Sequence, residues 1–157
     1  MMMHSGNFTL SNGASSDKYF DVKGVCASPH ASQLICDSFG ALLKKYPITC
    51  IAGDEGFGPI LGGIAHLYHF PYTIVRKEPK ERGMKRGLLE YYTPRAHDIV
   101  GVVDDVFTTG KSARRIMNAI SSQTNARIQG VYVVVNRGNN ALFDLPIYSL
   151  FRAKDFE

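Results

Sequence analysis

Four short apolar runs punctuate the chain: Ile48-Thr49-Cys50-Ile51-Ala52, Tyr72-Thr73-Ile74-Val75, Ile99-Val100-Gly101-Val102-Val103 and Val131-Tyr132-Val133-Val134-Val135. Rich in β-branched residues and nearly free of charge, they read as strands buried on both faces. Helix-like segments precede the first run and separate the first from the second and the third from the fourth. Ser28-Pro29 predicts a helix start, serine as N-cap and proline at the first helical position. The helix it opens carries Leu34, Ile35, Phe39, Leu42, Leu43 and Tyr46 at three-to-four spacing and stops before Pro47. A second apolar helix spans about 59–68, and a third 112–120. Strands alternating with helices imply βαβ units: an α/β fold with a mostly parallel sheet and helices on both faces.

Elsewhere the pattern is coarser. Phe8-Thr9-Leu10 is a short β-like piece, the polar stretch from Ser11 to Asp17 a loop, and Lys18-Tyr19-Phe20-Asp21-Val22 β-like again. Residues 147–151 predict a last strand. Between Glu78 and Asp98 the pattern is charged, glycine-bearing and aperiodic, and a loop of that length in a compact domain is usually functional or mobile. No repeat, low-complexity tract or linker interrupts the sequence, so residues 1–157 are expected to form one domain.

Composition narrows the partners. A formal charge of +4 suits a polyanionic ligand and equally suits a solvated surface. No apolar run approaches the roughly 20 residues that span a bilayer, and Met1 to Gly6 shows no secretory pattern. Cys26, Cys36 and Cys50 form no CxxC pair and have no histidine at finger spacing, which points away from disulfides or structural zinc and towards a reducing cytoplasm. As plain packing residues they would be small buried hydrophobes.

In parallel sheets, ligands bind beyond the carboxyl ends of the strands. Segments 53–58, 76–83, 104–112 and 136–140 each follow a predicted strand and carry chemistry, so they are expected to meet at one edge of the sheet. The richest is Val102-Val103-Asp104-Asp105-Val106-Phe107-Thr108-Thr109-Gly110-Lys111-Ser112. Two adjacent carboxylates can accept hydrogen bonds from vicinal hydroxyls, and the helix start that follows can cradle a phosphate. A sugar phosphate satisfies both. Gly110-Lys111-Ser112 looks like the tail of a GxxxxGK[ST] loop, but the leading glycine would fall at Asp105, where a carboxylate would face the phosphates. An ATPase is therefore excluded.

The segment from Val102 to Ser112 resembles the phosphoribosyl pyrophosphate (PRPP) motif of type I phosphoribosyltransferases. Three further segments resemble the orotate members of that family. They are Phe8-Thr9-Leu10-Ser11-Asn12-Gly13 with Ser16 and Tyr19-Phe20-Asp21; Arg76-Lys77-Glu78-Pro79-Lys80-Glu81-Arg82-Gly83; and Asn136-Arg137 after a valine strand. The family often has lysine where Ser11 and Phe57 stand, histidine at Arg82 and aspartate at Asn136.

The resemblance implies a Rossmann-like sheet with a small hood over about 1–27 and a mobile catalytic loop over about 77–98. It implies Mg²⁺-dependent transfer of 5-phosphoribosyl from PRPP to orotate, giving orotidine 5′-phosphate and pyrophosphate on the route to UMP. Asp104 and Asp105 would hold the ribose hydroxyls and, through PRPP, the metal. Residues Val106 to Ser112 would bind the rest of the ribose phosphate, its 5-phosphate on Thr108, Thr109, Gly110, Lys111 and Ser112. Arg76, Lys77, Lys80 and Arg82 would meet PRPP at the pyrophosphate, Lys80 as a catalytic residue from a loop that reaches a neighbouring subunit of a homodimer. Tyr19, Phe20, Thr108 and Arg137 would form the base site. An arginine fork suits the planar carboxylate of orotate. Two alternatives stay open: transfer to a purine or uracil, and a non-catalytic PRPP-binding regulator or nucleic-acid-binding module. Against nucleic acid, no basic stripe with interleaved aromatics stands out.

Overall fold

The computed structural model describes residues 3–9, 13, 15–79, 87–140 and 143–156. A hairpin of β1 (Met3–Thr9) and β2 (Ser15–Phe20) leads into α1 (Val22–Cys26) and α2 (Pro29–Leu43). Then come β3 (Cys50–Asp54), α3 (Gly58–Tyr68), β4 (Tyr72–Val75), β5 (Leu89–Tyr91), β6 (Ile99–Phe107), α4 (Lys111–Gln123), β7 (Arg127–Asn136) and β8 (Ile147–Arg152). From β3 to β8 the strands form one six-stranded sheet in the order β5-β4-β3-β6-β7-β8. Only β5 runs antiparallel to its neighbour.

The buried strands divide their side chains between two cores, as a period of two requires. Ile51, Val103, Tyr132 and Val134 pack beneath α2 and α3, against Ile35, Phe39, Leu43, Leu61 and Ile64. Cys50, Ala52, Val102, Val131 and Val133 face the other way, against Ala113, Ile116, Ala119 and Ile120 of α4. Those four α4 residues fall at i, i+3, i+6 and i+7 and make one stripe. Fully burying an isoleucine such as Ile116 contributes about 1.5–3 kcal/mol. The expected parallel sheet with helices on both faces is what these residues form.

Local differences have local causes. Val22, expected in a strand, opens α1, because the Asp21 carboxylate accepts the Gly24 N–H at 2.9 Å and caps a helix there. Helix α2 ends at Leu43 instead of running to Pro47, and Tyr46 packs outside it against Tyr132 and Tyr148. Leu34 has core spacing yet is 54% exposed. Inside the expected 78–98 loop, β5 pairs with β4; three residues are too few to show a strand period in sequence. Cys36 and Cys50 are buried and Cys26 half-buried, all three as free thiols.

Candidate active site

Strand β6 carries Asp104 and Asp105 to the carboxyl edge of the sheet on opposite faces. Asp104, 6% exposed, lies on the α4 side and receives a hydrogen bond from Ser112. Asp105 lies on the α1 side, with Lys23 Nζ 3.7 Å from its Oδ2. Each carboxylate also accepts the next backbone N–H, Asp105 N–H to Asp104 at 2.9 Å and Val106 N–H to Asp105 at 2.8 Å. Burial, helped by the neighbouring Asp105 charge, pushes the Asp104 carboxyl up to about 7, although the Ser112 and Asp105 N–H bonds favour its ionised form.

After β6 the chain turns through Gly110, whose φ of +77° favours glycine, and starts α4 at Lys111. A Cβ there would sit 2.6 Å from the Phe143 ring. Glycine offers no side-chain cap, so the first-turn N–H groups of α4 keep their donors for a ligand. A second glycine closes the loop from behind: a Cβ on Gly138 would collide with the Thr108 carbonyl oxygen. Beside it the Arg137 N–H donates to the Phe107 carbonyl at 2.8 Å. The Arg137 guanidinium reaches across to the hairpin, donating to Lys18 O at 3.1 Å and Ser16 Oγ at 2.9 Å, and lies 5.3 Å from the centre of the Phe20 ring. Phe20 also packs edge-to-face against Phe156.

The ends of β3 and β4 complete the edge. Asp54 Oδ1 accepts the Gly56 N–H at 2.6 Å, while its Oδ2 pairs with Arg115 of α4. Arg115 also donates to the Arg76 carbonyl at 3.0 Å. Phe57 is buried against Phe39, on the core side of the turn between β3 and α3.

These parts enclose an open cleft of about 730 Å³. Of the residues singled out in the sequence, Tyr19, Phe20, Lys77, Asp104, Asp105, Arg137 and all of 106–112 line it. Segments after β3, β4 and β6 and Arg137 after β7 thus meet at one edge, as expected. Arg76 stands apart from these: its guanidinium lies 3.5 Å from Glu90 of β5 and donates to Glu78 O, and among the described residues it is not part of the cleft lining. Strand β5 supplies the carboxylate beside it. Lys80 and Arg82 lie outside the described residues. Asp54 of the 53–58 segment, whose carboxylate suits a cation or amide donors, also lines the cleft, as do Lys23 and Arg115, which sequence reasoning did not single out. Arg115 had a readable signal, since it stands three residues after Ser112 and shares its helix face. Lys23 had none, because α1 itself was unforeseen. Among the described residues no cluster of three or more His, Cys, Asp or Glu could hold a metal unaided.

No family model matches the chain. It is 31% identical over 150 residues to an orotate phosphoribosyltransferase of Carboxydothermus hydrogenoformans, covering 94% of this chain and 76% of that protein. To an orotate phosphoribosyltransferase of Thermococcus gammatolerans it is 35% identical over 139 residues, 87% of this chain and 72% of that one. Among solved structures, Mycobacterium tuberculosis orotate phosphoribosyltransferase in complex with PRPP superposes with a TM-score of 0.72 at 26% identity, covering 94% of this chain and 88% of the other.

Proposed function

The chain belongs to the orotate phosphoribosyltransferase family, and on that premise we propose that it transfers 5-phosphoribosyl from PRPP to N1 of orotate, releasing pyrophosphate. The observation that carries this reading is one cleft in which the Asp104–Asp105 pair, the uncapped start of α4 and the Arg137–Phe20 contact lie side by side. In this scheme Asp104 and Asp105 accept hydrogen bonds from the ribose 2- and 3-hydroxyls. The N–H groups and hydroxyls of 108–112 hold the 5-phosphate, where the helix dipole favours a dianion. Arg137 uses two of its five donors on the hairpin, which leaves others for the orotate carboxylate. Tyr19, Phe20 and Thr108 complete the base site.

The reaction separates a cationic ribose from a departing diphosphate, so the protein must neutralise charge and exclude water. Lys77 brings charge from the end of β4. Lys80 and Arg82, from the segment outside the described residues, would add to it as a loop that closes over the cleft. Arg76 enters through its carbonyl, held by Arg115. The donor set fits a Mg²⁺ that arrives on the diphosphate, since two carboxylates suit a hard cation sharing its coordination with substrate oxygens. When bound, the ion offsets negative charge on the leaving group. We place the protein in the cytoplasm as a homodimer in which this loop serves the partner's cleft.

The test is spectrophotometric. Orotate should be consumed in the presence of PRPP and Mg²⁺, and Lys80→Ala should lose turnover while still binding PRPP. Consumption of hypoxanthine, guanine or uracil in place of orotate would overturn the assignment of the acceptor.

A further inference from the structure

We infer that Arg115 is a positioning residue for the diphosphate half of the donor site, acting by cancelling the charge of Asp54. The inference rests on the donor reading above. Asp54 ends β3 at the carboxyl edge of the sheet, and its side chain, 14% exposed, lines the same cleft as Lys23 and Lys77. An unpaired carboxylate there would repel a diphosphate, and a largely buried charge is less screened than one in open solvent. Asp54 nevertheless has a use. Its Oδ1 accepts the Gly56 N–H and so shapes the turn at Glu55–Phe57.

Arg115 reconciles the two demands. One guanidinium nitrogen pairs with Asp54 Oδ2, and another donates to the Arg76 carbonyl at the end of β4. A planar fork can serve two acceptors on different strands at once, which an ammonium on a flexible stem does less well. The charge of Asp54 is thereby neutralised, and the ends of β3, β4 and α4 are held in one arrangement. Because both directed bonds point at protein, Arg115 acts through Asp54 and Arg76, and not as a ligand of the anion.

This predicts an unusual pattern in a double-mutant cycle, read by calorimetric titration of the full chain with pyrophosphate in Mg²⁺ and by the KM for PRPP. Arg115→Gln should weaken both by about tenfold or more, because a partly buried carboxylate is left uncompensated, while orotate affinity changes by less than about twofold. Removing the second partner should then restore binding: Asp54→Asn with Arg115→Gln should return to within about threefold of wild type, since asparagine still accepts the Gly56 N–H. Arg115→Lys should fall between. A double variant as weak as Arg115→Gln overturns the inference, as does an Arg115→Gln protein that binds pyrophosphate normally. Should Arg115→Gln not fold, Asp54→Asn alone decides, because it must bind pyrophosphate at least as tightly as wild type, and weaker binding overturns the inference. Failure of the wild-type protein to bind PRPP would overturn the donor reading as well. Normal wild-type binding without the rescue overturns the role of Arg115 alone.

Discussion

Two buried aspartates, Asp98 just before β6 and Asp104 towards its carboxyl end, respond to pH in opposite senses. Asp98, 4% exposed, accepts hydrogen bonds from Thr49, Tyr92 and the Arg95 N–H. Burial works to raise its pKa, but those bonds outweigh it and hold the carboxyl below its ordinary value. Its stabilisation is therefore present above the unfolded-state pKa of about 3.9 and is lost as pH falls through the folded value. Asp98→Asn should lower stability at pH 7 by about 1–3 kcal/mol, with the difference shrinking in acid; chemical denaturation at the two pH values measures it. Asp104 is the reverse case. Its folded pKa of about 7 lies above the unfolded one, so the folded state holds the proton more tightly. The cost of ionising it accumulates between about pH 4 and pH 7. Asp104→Asn should accordingly raise the stability at pH 8 by about 2 kcal/mol, and by less at pH 5, while PRPP binding is lost. Equal stabilisation at both pH values would show that burial of the charge is not the cause. The sequence marked Asp104 as functional, but nothing in it distinguished the two environments, because both depend on which groups fold against each carboxylate.

At the scale of elements, the start of α4 was legible because it combines a strand, an acidic pair and a Thr/Gly turn within eleven residues. What the structure adds is the reason for Gly110: positive φ and the Phe143 ring where a Cβ would sit. Gly110→Ala should destabilise the protein by about 1–2 kcal/mol from backbone strain alone, more with the clash, and should weaken ribose 5-phosphate binding in titration. Gly62 is the control. It sits within α3, and a methyl group added to it would meet nothing within 4 Å, so Gly62→Ala should be neutral or stabilising by up to about 1 kcal/mol. Loss of stability in both variants would refute the distinction. Elements α1 and β5 leave no readable period in the sequence, for a shared reason. Each is five residues or shorter, below the length at which a period can be read, and each is held by a cap or a neighbouring strand. Both bear on the site, since α1 brings in Lys23 and β5 places Glu90 beside Arg76.

For the whole molecule, the proposal that one subunit's loop serves the other's cleft makes a sharp prediction. Sedimentation should give twice the 17.4 kDa chain mass. Mixing inactive Lys80→Ala and Arg137→Ala proteins under exchange conditions should restore orotate turnover, because each heterodimer then contains one complete site. No recovery, with exchange verified, would confine the loop to its own subunit. The alternation of buried runs with helical periods determined the parallel sheet, and with it the edge where chemistry had to gather, because few architectures bury such a pattern on both faces. The acidic pair and the Thr/Gly turn likewise determined where carboxylates and a helix start come together, since those groups are adjacent in the chain. What only the tertiary structure decided are relations between distant residues: Arg137 docking the hairpin through Ser16 and Lys18, Arg115 pairing with Asp54, and Glu90 standing beside Arg76. A charged side chain takes whichever partner the packed core places within reach, and that choice leaves no local trace in the sequence.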